Sequence, residues 1–580
     1  MPLPKSYSFG PFRLHSPAGV LYRGAEMTPL APKQAQVLLA LVEHAGGVVS
    51  KADLLKAAWK NAVVEEGSLT RAISVLRKVL GAGPDGRRSI VTVSKRGYQF
   101  AAAVRVSEIP ARAADERVFL AVLPFDNLSP DPGEEYFSDG LTEEMITQLS
   151  RLNRERLGVI ARTTAMRFKG AKKGIAEIGS ELTVQFVLEG SVRRAGNQLR
   201  ISAQLIRVDD ETLVWAKHYE RNLGDVLKLQ SEVARSIAAE IQIQLTPHSE
   251  RALSEAAEVS PAAHEAYLRG RHSWNTRTET GMRESIGHYQ EAIQHQPEYA
   301  LAHAGVADSY VMLACRGIVP AKETFRKAKK AARRAIDLDS NLGAARASLA
   351  HVRLHDWDWE GLEKVFRQAI ALDPSHTIAY YWFGEYLMSM GRPEEAIAVT
   401  QDAHRMDPLS PVIGSSLAMI LYLARKYDQA LRVAERTRDI HPQHFLPHLR
   451  MGLILVQKRA YQRAVAALKT AVALADRSTE TLAALGAAFA AAGKIKQAKE
   501  LLSQLERQRE QLYVLPYNIA KIHAAAGNKP KAFLWLDKAY DEGNPDLIEL
   551  NSEPIFDGIR GESRFSDLMR RVGWNVSPQV

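Results

Sequence analysis

Three fold classes succeed one another along this sequence: a small basic α+β unit, an α/β module, and an all-α repeat solenoid. Three observations carry that expectation. A basic amphipathic helix over 67–81 is followed by a Gly-containing basic hairpin over 89–100. Apolar runs of strand length recur between 118 and 216, ahead of a long helical pattern over 224–245. From 260 onward, small residues return every 34 positions. At 580 residues the chain is too long for one core, and roughly three or four domains are expected.

In the helix over 67–81, Leu69, Ala72, Ile73, Leu76 and Leu80 recur at spacings of three and four, which puts them on one stripe facing a core. Thr70, Arg71, Ser74, Arg77 and Lys78 fall on the opposite side, and Gly81 stands where a left-handed C-cap belongs. A helix with an apolar back and a front of donors fits a DNA major groove, where Arg and Lys read guanine edges and hydroxyls hold phosphates. After a turn-rich loop over 83–88, residues 90–93 and 98–100 read as two strands around a basic tip, Ser94 to Gly97, that carries Lys95 and Arg96.

That outline is a winged helix. The run Leu69 to Leu80, with Ile90 to Val93, Gly97, Tyr98 and Phe100, resembles the C-terminal DNA-binding domain of the OmpR/PhoB family. The resemblance implies that Thr70, Arg71, Ser74, Arg77 and Lys78 face the major groove of double-stranded promoter DNA. It also implies that Lys95, Arg96 and Tyr98 act at the wing. A single wing domain binds modestly, so a homodimer on repeated half-sites is expected.

Charge agrees with this division. Residues 1–105 hold 15 of the 76 Lys/Arg and 6 of the 66 Asp/Glu, which is +9 of the total +10. Counterion-release binding to phosphate needs that kind of concentration.

Within 1–105, strands are expected over 7–14, 20–23 and 26–30. A helix follows from Pro32 to about 45, with Val37, Leu38, Leu41 and Val42 inward. A second helix is capped by Ser50 with Asp53 as its capping-box partner. No receiver domain precedes this segment, so no phosphoaspartate switch is expected. The arrangement resembles regulators of the CadC and HilA kind, and the loop over 60–66 is a candidate contact for RNA polymerase.

A polar linker is assigned to 106–117. In the module over 118–246, strands are expected at 118–125, 157–161, 186–192, 199–206 and 212–216. Helices are expected near 141–152, 175–182 and 224–245. The stretches 121–129, 137–143, 188–193 and 204–206 resemble the TolB N-terminal-like domain, a family without settled chemistry. Asp139, Glu143 and Glu144 read as turn and first-turn acids rather than as a catalytic pair. The stripe Val226, Leu229, Val233, Ile237 and Ile241 reads as a sheet cover rather than a dimer seam.

Over 260–580, Gly384, Ala418, Gly452, Gly486 and Ala520 are spaced by 34, as are Ala396, Ala430, Ala464, Ala498 and Ala532. This is the tetratricopeptide (TPR) period, and about eight helix pairs are expected. A divergent first unit falls near 267–297, a longer connection at 315–324, and an atypical cap after Pro545. Such a superhelix takes a protein or peptide ligand in its groove.

No run is long and apolar enough for a membrane span, and no signal peptide is visible, so the expected location is cytoplasmic. Cys315 reads as a small packed hydrophobe, and His441, His444 and His448 lack a completing ligand, so neither a metal nor a cofactor is expected. Phosphate-loop, dinucleotide, zincin and serine-elbow patterns do not occur. The expected function is sequence-specific transcriptional regulation, without enzymatic activity. The alternatives are a TPR interaction scaffold with secondary DNA binding, and a cyclase-related enzyme.

Overall fold

The structure is a computed structural model that describes residues 5–574, apart from 16–19, 24–25, 29, 31, 60–65, 82–88, 95, 109–116, 197, 244, 246–249, 251–258, 476–477 and 510–512. Two compact units divide the chain, Met1–Glu116 and Arg117–Val580. Among the described residues no helix is long and apolar enough to cross a membrane.

The first unit starts with β1 (Lys5–Phe9), β2 (Phe12–His15), β3 (Val20–Arg23) and β4 (Glu26–Thr28). Next come α1 (Pro32–Glu43), β5 (Val48–Val49), α2 (Lys51–Trp59) and α3 (Glu66–Leu80). It ends with β6 (Ile90–Val93), β7 (Gly97–Phe100) and β8 (Arg105–Glu108). Two antiparallel sheets form, ordered β4-β3-β2-β1-β8 and β5-β7-β6. The run over 7–14, expected as one strand, is two strands that reverse at Gly10, whose φ of +51° suits a residue without a Cβ. Residues 106–108, expected in the linker, pair with β1 instead and cover its open edge.

The capping box at α2 forms: Ser50 Oγ donates to Asp53 Oδ2 at 2.6 Å, and the Asp53 amide donates back at 3.1 Å. Val37, Leu38, Leu41 and Val42 of α1 are buried with Leu14, Leu54 and Phe100.

The second unit opens with a mixed sheet. Its elements are β9 (Val118–Val122), β10 (Asp126–Asn127), α4 (Glu135–Ser150), β11 (Leu157–Val159), α5 (Arg162–Ala165) and α6 (Ile175–Leu182). They continue with β12 (Phe186–Ala195), β13 (Gln198–Arg207), β14 (Leu213–Asn222) and α7 (Val226–Glu240). The order is β11-β9-β12-β13-β14, parallel among the first three and antiparallel beyond. The α7 stripe is buried in the core that α4 shares with β14, as a sheet cover should be. Asp139 and Gly140, expected ahead of a helix, lie inside α4. A Cβ on Gly140 would come within 2.6 Å of Leu268, so glycine is what lets α4 approach the first repeat helix, α8 (Pro261–Asn275).

Among the described residues, eight antiparallel helix pairs follow, from α8 with Glu279–His295 to Pro516–Ala525 with Lys529–Asp541. The 34-residue period has a steric cause. A Cβ on Gly384 would meet Thr400 Oγ1 at 2.5 Å, and one on Gly452 would meet Leu468 at 2.3 Å; Ala396, Ala430 and Ala464 are fully buried.

A second periodicity sits in the turns. Trp357, Gly391, Arg425, Arg459, Gly493 and Gly527, one per repeat, all have positive φ. The next residue's amide then donates back five residues, as Ala460 does to Leu455 O at 2.9 Å. This left-handed cap satisfies the carbonyls at the end of each first helix.

After the last pair, the chain returns across earlier repeats. His355 Nδ1 contacts Pro545 O at 2.9 Å, and Ser389 Oγ donates to Ile548 O at 2.8 Å. Tyr422 OH donates to Glu553 Oε1 at 2.6 Å, and Trp359 Nε1 donates to Val572 O at 3.1 Å. The terminal helix Ser563–Arg571 packs beside this crossing.

Module and repeats are joined by half-buried and buried polar groups. Glu143 of α4 accepts Arg271 Nε at 2.9 Å and Asn275 Nδ2 at 3.1 Å, and lies 3.0 Å from Arg162 Nε. Those partners hold its carboxyl below the ordinary range despite burial. Thr164 donates its amide and hydroxyl to Asp407 Oδ1, at 3.0 and 2.8 Å.

Candidate nucleic-acid interface

The helix α3 begins one residue before the expected start and ends as expected. Gly81 has φ +65°, and its amide donates to Arg77 O at 3.1 Å. Leu69, Ala72, Ile73, Leu76 and Leu80 are all buried. On the other side Thr70, Arg71, Ser74 and Lys78 are exposed. Four donor-bearing side chains thus share one solvent face over about two turns, held by an apolar back that cannot rotate away.

Arg77 behaves differently. It is half-buried; its Nε donates to Ile90 O at 3.0 Å and its Nη2 to Thr92 Oγ1 at 2.7 Å. Its guanidinium also lies 5.9 Å from the Tyr98 ring centre. The arginine expected to read bases therefore ties α3 to the wing strand. Nothing in helical periodicity reveals this, because the partners come from a strand 13 and 15 residues later.

Tyr98 is only 6 % exposed and belongs to the domain core, since its place on β7 points the ring under the sheet. That corrects its expected position among groups facing DNA. Arg96 is exposed at the hairpin tip, and Lys95 lies outside the described residues.

Gly97 has φ +137°, and a Cβ there would come within 2.1 Å of Val49 O. The tip is thus set by a close crossing of β5, and Gln99 Nε2 reinforces it by donating to Gly46 O at 2.6 Å. Neither β5 nor Gln99 stands out in the sequence, where Gly97 reads only as a turn residue of the hairpin tip. The face presented to solvent combines hydroxyls and cations on α3 with Arg96 and Thr92 of the hairpin. It can donate to phosphates and base edges.

Comparison with known families agrees with this geometry. Residues 25–100 match the model for the transcriptional regulatory protein, C terminal. The chain carries an OmpR/PhoB-type regulatory domain. Residues 116–236 match the HilA/YgeH-like transcriptional regulator second domain, and 363–411 and 416–479 match tetratricopeptide repeats.

The transcriptional regulator HilA of Salmonella typhimurium is 26 % identical over 442 residues, covering 76 % of this chain and 77 % of that protein. A putative adenylate cyclase 3 of Rhizobium meliloti is 36 % identical over 200 residues, and the chain spans only 33 % of that relative. Among solved structures, the DNA-binding domain of E. coli CadC is matched over 98 % of its length and 18 % of this chain, with 28 % identity and a TM-score of 0.17.

Proposed function

We propose that the protein is a sequence-specific DNA-binding transcriptional regulator whose C-terminal unit supplies control. The single observation that carries this is the exposed donor face of α3 beside a basic wing, in a segment holding nearly all of the net positive charge. Arg71, Ser74, Thr70 and Lys78 contact the major groove; Arg96, with Lys95 next to it in sequence, reaches the flanking backbone. Arg77 positions the wing rather than reading bases.

The working division is a DNA-binding domain over 1–105 extended to 108, a TolB-like module over 118–246, and repeats over 260–580. A homodimer on repeated half-sites, contact with RNA polymerase through 60–66, a cytoplasmic location and a protein ligand on the repeats belong to the same reading. Any such ligand must use inner surface not already covered by 545–559.

Binding of the full chain and of residues 1–116 to genomic DNA fragments across a salt series tests it. Enrichment of particular sites that persists at roughly 150 mM salt is the expected result. Weak, unselective binding lost with salt moves the reading to a repeat scaffold. The cyclase relative motivates one further control: nucleotide cyclisation above background in the purified chain would reopen an enzymatic role.

A further inference from the structure

A cavity of about 190 Å³ lies where α4 and α5 meet the first repeats. Its apolar wall includes Leu268, Leu301, Leu342 and Ile378, and its polar wall is rich in guanidinium groups. The counter-charges are already engaged. Glu143 serves both Arg162 and Arg271, while Asp308 takes the Ser348 hydroxyl and lies 3.9 Å from Arg271. Asp373 accepts Ser375 Oγ at 2.8 Å. Glu144, half-buried against Gln230, is pushed up to about 8 by burial and is uncharged at neutral pH.

Arg277 is left over. It stacks on Trp274 with its guanidinium carbon 3.6 Å from the ring centre, and among the described residues no carboxylate pairs with it. Burial and the neighbouring Arg271 and Arg316 push it down to about 9, a shift that the more distant Asp308 and Glu143 carboxylates offset only in part. Four buried atoms on the lining, His376 Nδ1, Trp274 Nε1, Gln230 Oε1 and Glu144 Oε1, have no hydrogen-bond partner among the described residues. Orphan polar atoms around an apolar-walled space call for a polar occupant.

We propose that this cavity binds a small organic carboxylate carried on a single ring or short apolar chain, with the carboxylate on Arg277 and the body against Leu301, Leu342 and Ile378. Size limits the class: a cavity of about 150 Å³ holds benzene, so this one holds one ring with an acid group. Guanidinium supplies the bidentate partner that a carboxylate requires. As the input of a regulator, the site rests on the function proposed above; as a binding site it does not.

The test is titration calorimetry of the full chain with benzoate, hexanoate, the neutral isostere benzamide, and inorganic phosphate. Saturable binding of at least one acid, none of benzamide, and at least tenfold weaker binding to Arg277→Met is expected. If Arg277→Met does not fold, Ala344→Leu, which fills the same cavity without changing charge, must weaken the acid at least as much. Absence of binding by both acids, equal binding of benzamide, or undiminished affinity in the folded variant overturns the proposal. Phosphate binding alone overturns the apolar subsite. Site-selective DNA binding without acid binding would sink this site and leave the regulator standing; the reverse result would do the opposite.

Discussion

On α3, Arg71 and Lys78 stand exposed beside two hydroxyls, whereas at the junction of the α/β module with the repeats Arg162 and Arg271 close around Glu143. Exposed cations lose little on desolvation and exchange their counterions readily, which suits reversible contact with phosphate. Buried cations must be paired or the fold bears an uncompensated charge. Residue counts hint at the division, since 1–105 carries +9 and the remaining residues +1. The second figure nonetheless conceals a cluster of guanidiniums that only three-dimensional pairing explains.

The comparison breaks most visibly at Glu143. Glu143→Ala strands two guanidiniums and is expected to cost about 3–5 kcal/mol, seen by calorimetry as a lower melting temperature of the C-terminal unit. A loss below about 1 kcal/mol would mean that these arginines rehydrate and resemble those of α3 after all.

Glu144 sharpens the same point through pH. Its folded pKa of about 8 exceeds the unfolded value of 4.5, so the folded state holds the extra proton between them. Stability therefore falls as pH rises from about 4.5 to 8 and levels off above. Glu144→Gln should remove that part of the slope, about a few kcal/mol, and melt higher than wild type at pH 8.5.

On the exposed side, Arg77→Ala and Arg71→Ala separate anchoring from reading. Arg77→Ala should lower the stability of the N-terminal unit by about 1.5–3 kcal/mol, the worth of charged-donor hydrogen bonds. Arg71→Ala should leave melting unchanged and lower DNA affinity by about 1–3 kcal/mol if it contacts a base. Equal melting of both variants would dissolve the distinction drawn between them.

Smallest is Arg459→Gly. It replaces a side chain at φ +57° and should stabilise by about 1 kcal/mol or less, read as a small upward shift in the denaturation midpoint.

Much of this was legible from spacing. The α3 stripe, the Ser50–Asp53 box and the 34-residue step are local or periodic, and each appears where a helix or turn demands it. What escaped was non-local. Arg77 turns inward because β6 lies under its side chain, and Tyr98 is buried by strand register that a four-residue run does not fix. Glu143 and Glu144 read as ordinary helix acids, since their partners sit on a helix more than 120 residues away or on α7. The positive-φ step through Trp357, Arg425 and Arg459 went unseen because half of its members are not glycine.

The return of residues 545–559 across His355, Ser389 and Tyr422 has a consequence for biosynthesis. A solenoid joined only by neighbours can assemble behind the ribosome one repeat at a time. Here the third, fourth and fifth pairs keep an imidazole and two hydroxyls waiting for partners encoded 131–190 residues downstream. Because contacts of that separation form late and at high loop-closure cost, a nascent chain stalled before 545 carries a middle whose polar ends are still open. Chaperones and proteases would meet the protein in that state, so its yield in the cell depends on the codons for residues 545–559 more than their small share of the mass suggests.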